Sequence, residues 1–86
     1  MNTFNLKIAS PEGEIFKGNA YAVYLRGSEG DLAVMAGHIP FVTSVVECDC
    51  KVELPDGGEK TGHLSGGILT VSKDETVLLS DSFYWN

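Results

Sequence analysis

Basic residues are scarce in this 86-residue chain: 6 Lys and Arg stand against 12 Asp and Glu, for a net charge of −6 and a pI near 4.6. A nucleic-acid binder of this size needs a basic face to neutralise phosphates. With Arg26 as its only arginine, the chain is not expected to bind nucleic acid directly. Long apolar runs are missing too, since Ala20–Leu25 and Ile39–Val46 are far too short to span a bilayer. The start, Met1-Asn2-Thr3-Phe4-Asn5, lacks the basic and apolar regions of a signal peptide. Cysteine is limited to Cys48 and Cys50, too few for a disulfide framework, so a reducing cytosol is the expected compartment. No window carries apolar residues at helical spacing, which excludes amphipathic helices.

The pattern present is period two, broken by turn residues every eight to twelve positions. Phe4, Leu6 and Ile8 alternate with Asn5 and Lys7 before Ser10-Pro11-Glu12-Gly13 turns the chain. Ile15 and Phe16 open a short strand that stops at Gly18. Tyr21, Val23 and Leu25 oppose Ala22 and Tyr24, and Arg26-Gly27-Ser28-Glu29-Gly30 reads as a loop. Leu32 and Val34 make a brief strand ended by Ala36-Gly37-His38. Cys50, Val52 and Leu54 alternate with Asp49, Lys51 and Glu53, and Pro55-Asp56-Gly57-Gly58 reads as a tight hairpin turn. Strands then run to Leu64, over Ile68–Val71, and over Thr76–Ser80, the last clear one. Eight to ten short strands in one domain spanning residues 1–86 predict an all-β antiparallel sandwich or flattened barrel.

Chemistry-bearing clusters read more simply as structure. Cys48 and Cys50 share one strand face with Val52 and Leu54, which favours core packing over a zinc site needing about four ligands. His63 and Ser65 would share a face, but the nucleophile elbow needs a following helix and none is expected, so no catalytic residue is assigned. The glycines of Gly66-Gly67 and Gly27–Gly30 lack the lysine and helix N-terminus of a phosphate cradle. No cofactor or metal is expected. Glu29 and Asp31 form an acidic tip, which is either a solvated turn or a steering element for a basic or polar partner.

Two segments narrow the possibilities. Gly27-Ser28-Glu29-Gly30-Asp31-Leu32-Ala33-Val34-Met35-Ala36-Gly37-His38-Ile39-Pro40 resembles the Gly-x-Glu-Gly-Glu-φ-Gly-φ-φ-Pro-Gly-His-x-Pro signature of the F-type ATP synthase epsilon subunit. Leu64-Ser65-Gly66-Gly67-Ile68-Leu69-Thr70-Val71 is similar to that family's φ-Ser-Gly-Gly-φ-φ-x-Val segment. Pro11–Gly18 resembles its first hairpin and Val77–Asp81 its last strand, so the likeness covers residues 4 to 81. Ala33 stands where the family has glycine, Ala36 where it has proline, Asp31 where it has glutamate, and Glu47-Cys48 where it has Pro-Gly before the sixth strand.

The resemblance implies a non-catalytic rotor subunit of the central stalk, linking the gamma subunit to the c-ring and coupling ion translocation to ATP synthesis. It further implies a peripheral place on the cytoplasmic face of a bacterial inner membrane. By carry-over, Ser28, Glu29, Gly30 and Asp31 are expected at the c-ring. Gly37, His38, Pro40 and Thr43 are expected on the side facing gamma and the ring, with a turn role for His38 equally open. Ser65, Gly66 and Gly67 are expected to form a structural turn. Most epsilon subunits continue into a two-helix hairpin; Ser82-Phe83-Tyr84-Trp85-Asn86 does not resemble its start, so a short form lacking that domain is expected. The aromatic residues of this pentapeptide serve either to pack on the sandwich or to anchor a partner. The alternative function is a free-standing β-sandwich adaptor or ligand-binding module.

Overall fold

The computed structural model describes residues 2–86. The alternating segments form ten strands: β1 (Phe4–Ser10), β2 (Gly13–Ala20), β3 (Ala22–Gly27), β4 (Gly30–Met35) and β5 (Phe41–Val45), then β6 (Cys48–Glu53), β7 (Glu59–Leu64), β8 (Gly67–Val71), β9 (Thr76–Ser80) and β10 (Phe83–Trp85). Among the described residues there is no helix. The hydrogen-bonded order β10-β7-β6-β3-β5-β8-β9-β1-β2, with β4 on the far side of β3, folds into two faces. One is β4-β3-β6-β7-β10 and the other is β5-β8-β9-β1-β2.

The faces meet where β3 and β5 share a single register pair, Gly27 with Val45. A Cβ on Gly27 would lie 2.8 Å from Leu32 Cδ2 and 3.4 Å from the Ser44 carbonyl, so the absent side chain lets the corner close. Period-two alternation then sends one side of every strand inward. Leu6, Ile8, Val23, Val34, Cys50, Val52, Leu64, Leu69 and Leu78 are the largest fully buried side chains, drawn from both faces.

Several details depart from the sequence-based expectation. The pairing of β1 with β9 is parallel, Leu6 to Thr76 through Ala9 to Leu79, while every other pairing is antiparallel. Alternation reports which side a residue faces but not the direction of the neighbouring strand, so this was not legible. Strand β2 runs past Gly18 to Ala20, because Gly18 still pairs with Leu6. The expected loop Arg26–Gly30 contracts to the two-residue turn Ser28-Glu29, flanked by the pair Gly27 and Gly30. Phe83–Trp85, not predicted as a strand, pairs with β7 as β10.

That last strand closes the seam opposite the Gly27 corner. Phe83 and Trp85 turn inward and pack edge-to-face at 4.9 Å, and Trp85 meets Phe16 of β2 at 6.2 Å. Lys60 Nζ lies 4.7 Å from the Trp85 ring centroid on its own face and 5.8 Å from that of Phe16 across the seam, adding cation–π contacts there. The aromatic end is therefore structural at Phe83 and Trp85, while Tyr84 points outward and is exposed.

Candidate interaction surfaces

The β3–β4 hairpin places the acidic tip. Ser28, Glu29, Gly30 and Asp31 are all exposed at or beside its two-residue turn. The register sets Arg26 opposite Asp31, and Arg26 Nε donates to Asp31 Oδ1 at 2.8 Å. The same hydrogen bond and the carboxylate charge raise the Arg26 guanidinium pKa. Among the described residues Glu29 has no such partner, so the tip carries one uncompensated negative charge, not the two that its sequence suggests. The signal for this was present: position 26 precedes the tip by the spacing that a two-residue hairpin pairs with 31.

The remaining expected contact residues divide between two places. Thr43 of β5 borders the same shallow depression of about 330 Å³ as Glu29, Gly30 and Asp31. Gly37, His38 and Pro40 lie beyond the far end of β4, along whose length the chain travels about 17 Å. They border a separate cleft of about 640 Å³ with Asn5, Asn19 and the Ser72–Glu75 turn. The His38 amide donates to the Met35 carbonyl at 3.3 Å, closing a turn in which Gly37 takes φ +84°. The His38 ring lies against Phe41, with centroids 5.3 Å apart.

A third surface escaped sequence analysis. On the outer side of β5-β8-β9-β1, the register aligns Ser44, Ile68, Leu79 and Ala9 in one row and Val42, Thr70, Val77 and Lys7 in the next. Val42 is 68% exposed, Ile68 51% and Leu79 53%. These are β-branched and aliphatic residues facing outward from central strands, where a solvated sheet face is normally polar. The clue was the adjacent pair Phe41-Val42 within Ile39–Val46: β5 carries hydrophobic residues on both sides, so its alternation is masked. The opposite outer face is polar, with Asp49, Lys51, Glu53, Glu59, Thr61 and His63 pointing out from β6 and β7.

Ser65, Gly66 and Gly67 occupy the β7–β8 connection. Gly66 has φ +115°, and a Cβ on Gly67 would fall 2.0 Å from the Leu79 carbonyl oxygen, so neither position accepts a side chain. The buried Ser80 hydroxyl donates to the Gly66 carbonyl at 2.6 Å and fixes the turn from below. Ser65 is exposed, its amide donating to the Ser82 carbonyl at 3.0 Å, while His63 faces Glu47 and Asp49; no nucleophile–base pair forms between them. Cys50 is buried, and burial pushes its thiol up to about 12; Cys48 is half-buried, with Sγ accepting from the Arg26 amide at 3.4 Å. Both cysteines thus face the core.

Comparisons with known proteins agree with this architecture. The family model described as ATP synthase, Delta/Epsilon chain, beta-sandwich domain matches residues 3–86. The sodium-ion-specific ATP synthase epsilon chain of Acetobacterium woodii is 40% identical over 83 residues, covering 96% of this chain and 62% of that one. The ATP synthase epsilon chain of Clostridium novyi is 39% identical over 83 residues, covering 96% and 63%. The chain thus spans about three-fifths of the length of these relatives. Among solved structures, a chain of the Euglena gracilis mitochondrial ATP synthase (OSCP/F1/c-ring) superposes with TM-score 0.92 at 21% identity, covering 99% of this chain and 54% of its own. One from the Tetrahymena thermophila mitochondrial ATP synthase central stalk and c-ring superposes with TM-score 0.77 at 13% identity, covering 94% and 65%. These last two share the fold. With nearly its whole length matched by the family model, the chain belongs to the β-sandwich domain family of the ATP synthase delta and epsilon chains.

Proposed function

We propose that this domain is the sandwich of an epsilon subunit in the central stalk of an F-type ATP synthase, a non-catalytic rotor part that joins the gamma subunit to the c-ring. On this reading it works peripherally at the cytoplasmic face of a bacterial inner membrane, coupling ring rotation to gamma. The observation that carries the proposal, beside family membership, is the exposed apolar strip of Val42, Ile68 and Leu79 on the β5-β8-β9 face. A flat apolar sheet face suits a broad, rigid protein partner, and gamma is the occupant assigned to it. The hairpin tip with Ser28, Glu29, Gly30 and Asp31, beside Thr43, is assigned to polar and basic loops of the c-ring. The Gly37–Pro40 loop is assigned to the margin of the gamma contact, next to Val42 in the chain.

The test is titration into gamma subunit from the same organism, read by calorimetry and gel filtration. A one-to-one complex is expected. Ile68→Glu puts a charge where the partner must desolvate it, so binding should fall at least about tenfold with the strand content unchanged. A folded wild-type protein that binds neither gamma nor the gamma–c-ring assembly would leave the adaptor reading in its place.

A further inference from the structure

Strands β10 and β2 stand at the two ends of the pairing order, and among the described residues no register pair joins them. Their seam is shut by side chains, Phe83 and Trp85 of β10 against Phe16 of β2. β10 is three residues long and pairs with β7 alone. Two hydrogen bonds bracket it: the Ser65 amide donates to the Ser82 carbonyl at 3.0 Å, and the Asn86 amide to the Thr61 carbonyl at 2.9 Å. A strand this short, paired on one edge, can open without the rest of the sheet. At its centre Tyr84 is the register partner of His63, and the two rings lie 5.8 Å apart at 40°.

His63 is the middle of a row across three strands, Asp49 of β6, His63 of β7 and Tyr84 of β10. Asp49 Oδ1 lies 2.8 Å from its Nδ1, and Glu47 Oε2, from the β5–β6 connection, lies 3.1 Å from its Nε2. The other cations of this outer face are engaged elsewhere, Lys51 with Glu53 and Glu59 and Arg26 with Asp31. Only imidazolium donates from both nitrogens, and only imidazolium sets a positive charge against the Tyr84 ring. Loss of the proton leaves one nitrogen lone pair facing a carboxylate, so the ring and one acid must part, and the attraction to Tyr84 is lost with the charge. We infer that β10 is a strap whose grip is set by the protonation of His63. The imidazolium joins the strap, through Tyr84, to β6 and the β5–β6 connection; the neutral ring lets the strap loosen and open the Phe16 seam.

The test is amide hydrogen exchange of the whole protein, followed by NMR about 1.5 pH units below and above the His63 midpoint, with each rate divided by that of the unfolded chain at the same pH. At both pH values the Ser65 and Asn86 amides should be at least about tenfold less protected than those of Leu69 and Leu78, the mark of a strand that opens by itself. Their protection should fall about three- to fivefold from the lower pH to the higher, the scale of an exposed cation–π contact. His63→Gln removes the titrating ring and should leave less than about 1.5-fold of that change; Tyr84→Leu keeps an apolar side chain without the ring and should do the same while His63 still titrates. A wild-type strap whose protection holds or rises with pH overturns the inference. So does a fall that survives either substitution, or protection equal to that of Leu69 and Leu78.

Discussion

His63 has a carboxylate at each ring nitrogen: Asp49 Oδ1 lies 2.8 Å from Nδ1, and Glu47 Oε2 lies 3.1 Å from Nε2. Both nitrogens can donate only when the ring is protonated, so the arrangement favours imidazolium. The hydrogen bond to Asp49, then that to Glu47, raises the His63 pKa above its ordinary 6.5 against a smaller opposing effect of desolvation. Because the folded-state pKa is the higher one, the stabilisation is complete below about pH 6.5 and disappears as pH rises through the folded value. A proton-NMR titration should therefore place the His63 midpoint above 6.5. The stability advantage of wild type over His63→Gln should shrink on going from about pH 6 to pH 9; an advantage that is flat or grows over that range would contradict the clasp. Sequence could place His63 on a strand, but its partner Asp49 is fourteen residues away and Glu47 sixteen, joined to it only by the β6–β7 register.

At the scale of an element, the Met35–His38 turn shows how a departure from the family pattern is accommodated. Ala36 occupies the first central position and Gly37 the second, with φ +84°, the arrangement of a type II turn. Among the described residues the Ala36 amide donates no backbone hydrogen bond outside the strands, and Met35 before it is extended. Proline therefore fits position 36, and Ala36→Pro should raise stability by about 0.4–1 kcal/mol through loss of unfolded-state freedom. Gly37→Ala has open space around its Cβ yet must hold a left-handed conformation, so it should lower stability by about 1 kcal/mol. Urea midpoints at constant m-value test both. This turn was legible from Ala36-Gly37-His38 alone, because its constraint is local. The β10 strand was not, since three residues carry too little periodicity to read and their order comes from Gly62 of β7. A Cβ there would lie 2.7 Å from the Tyr84 carbonyl oxygen.

As a whole molecule, the sandwich is closed on one side by the Gly27–Val45 corner and on the other by Trp85 against Phe16. Its principal extents of 31 × 25 × 21 Å leave room for one shared core, so a cavity anywhere is felt in both faces. Leu78 lies at the centre of β9, fully buried between β8 and β1. Leu78→Ala should cost about 2–5 kcal/mol, a large share of the roughly 5–10 kcal/mol expected for a domain of this size. Loss of the cooperative thermal transition, or a midpoint well below that of wild type, would show it; an unchanged midpoint would mean that the site repacks. The body is polar on its β6–β7 outer face and apolar on its β5-β8-β9 outer face.

The sequence by itself determined the fold class, most of the strands and their inward sides, and the glycine turns, because alternation and positive φ are properties of neighbouring residues. The parallel β1–β9 pairing and the enclosure of His63 by Asp49 and Glu47 were decided only by the tertiary structure. Each depends on strand direction and register, which bring together residues whose separation along the chain carries no signal of their contact.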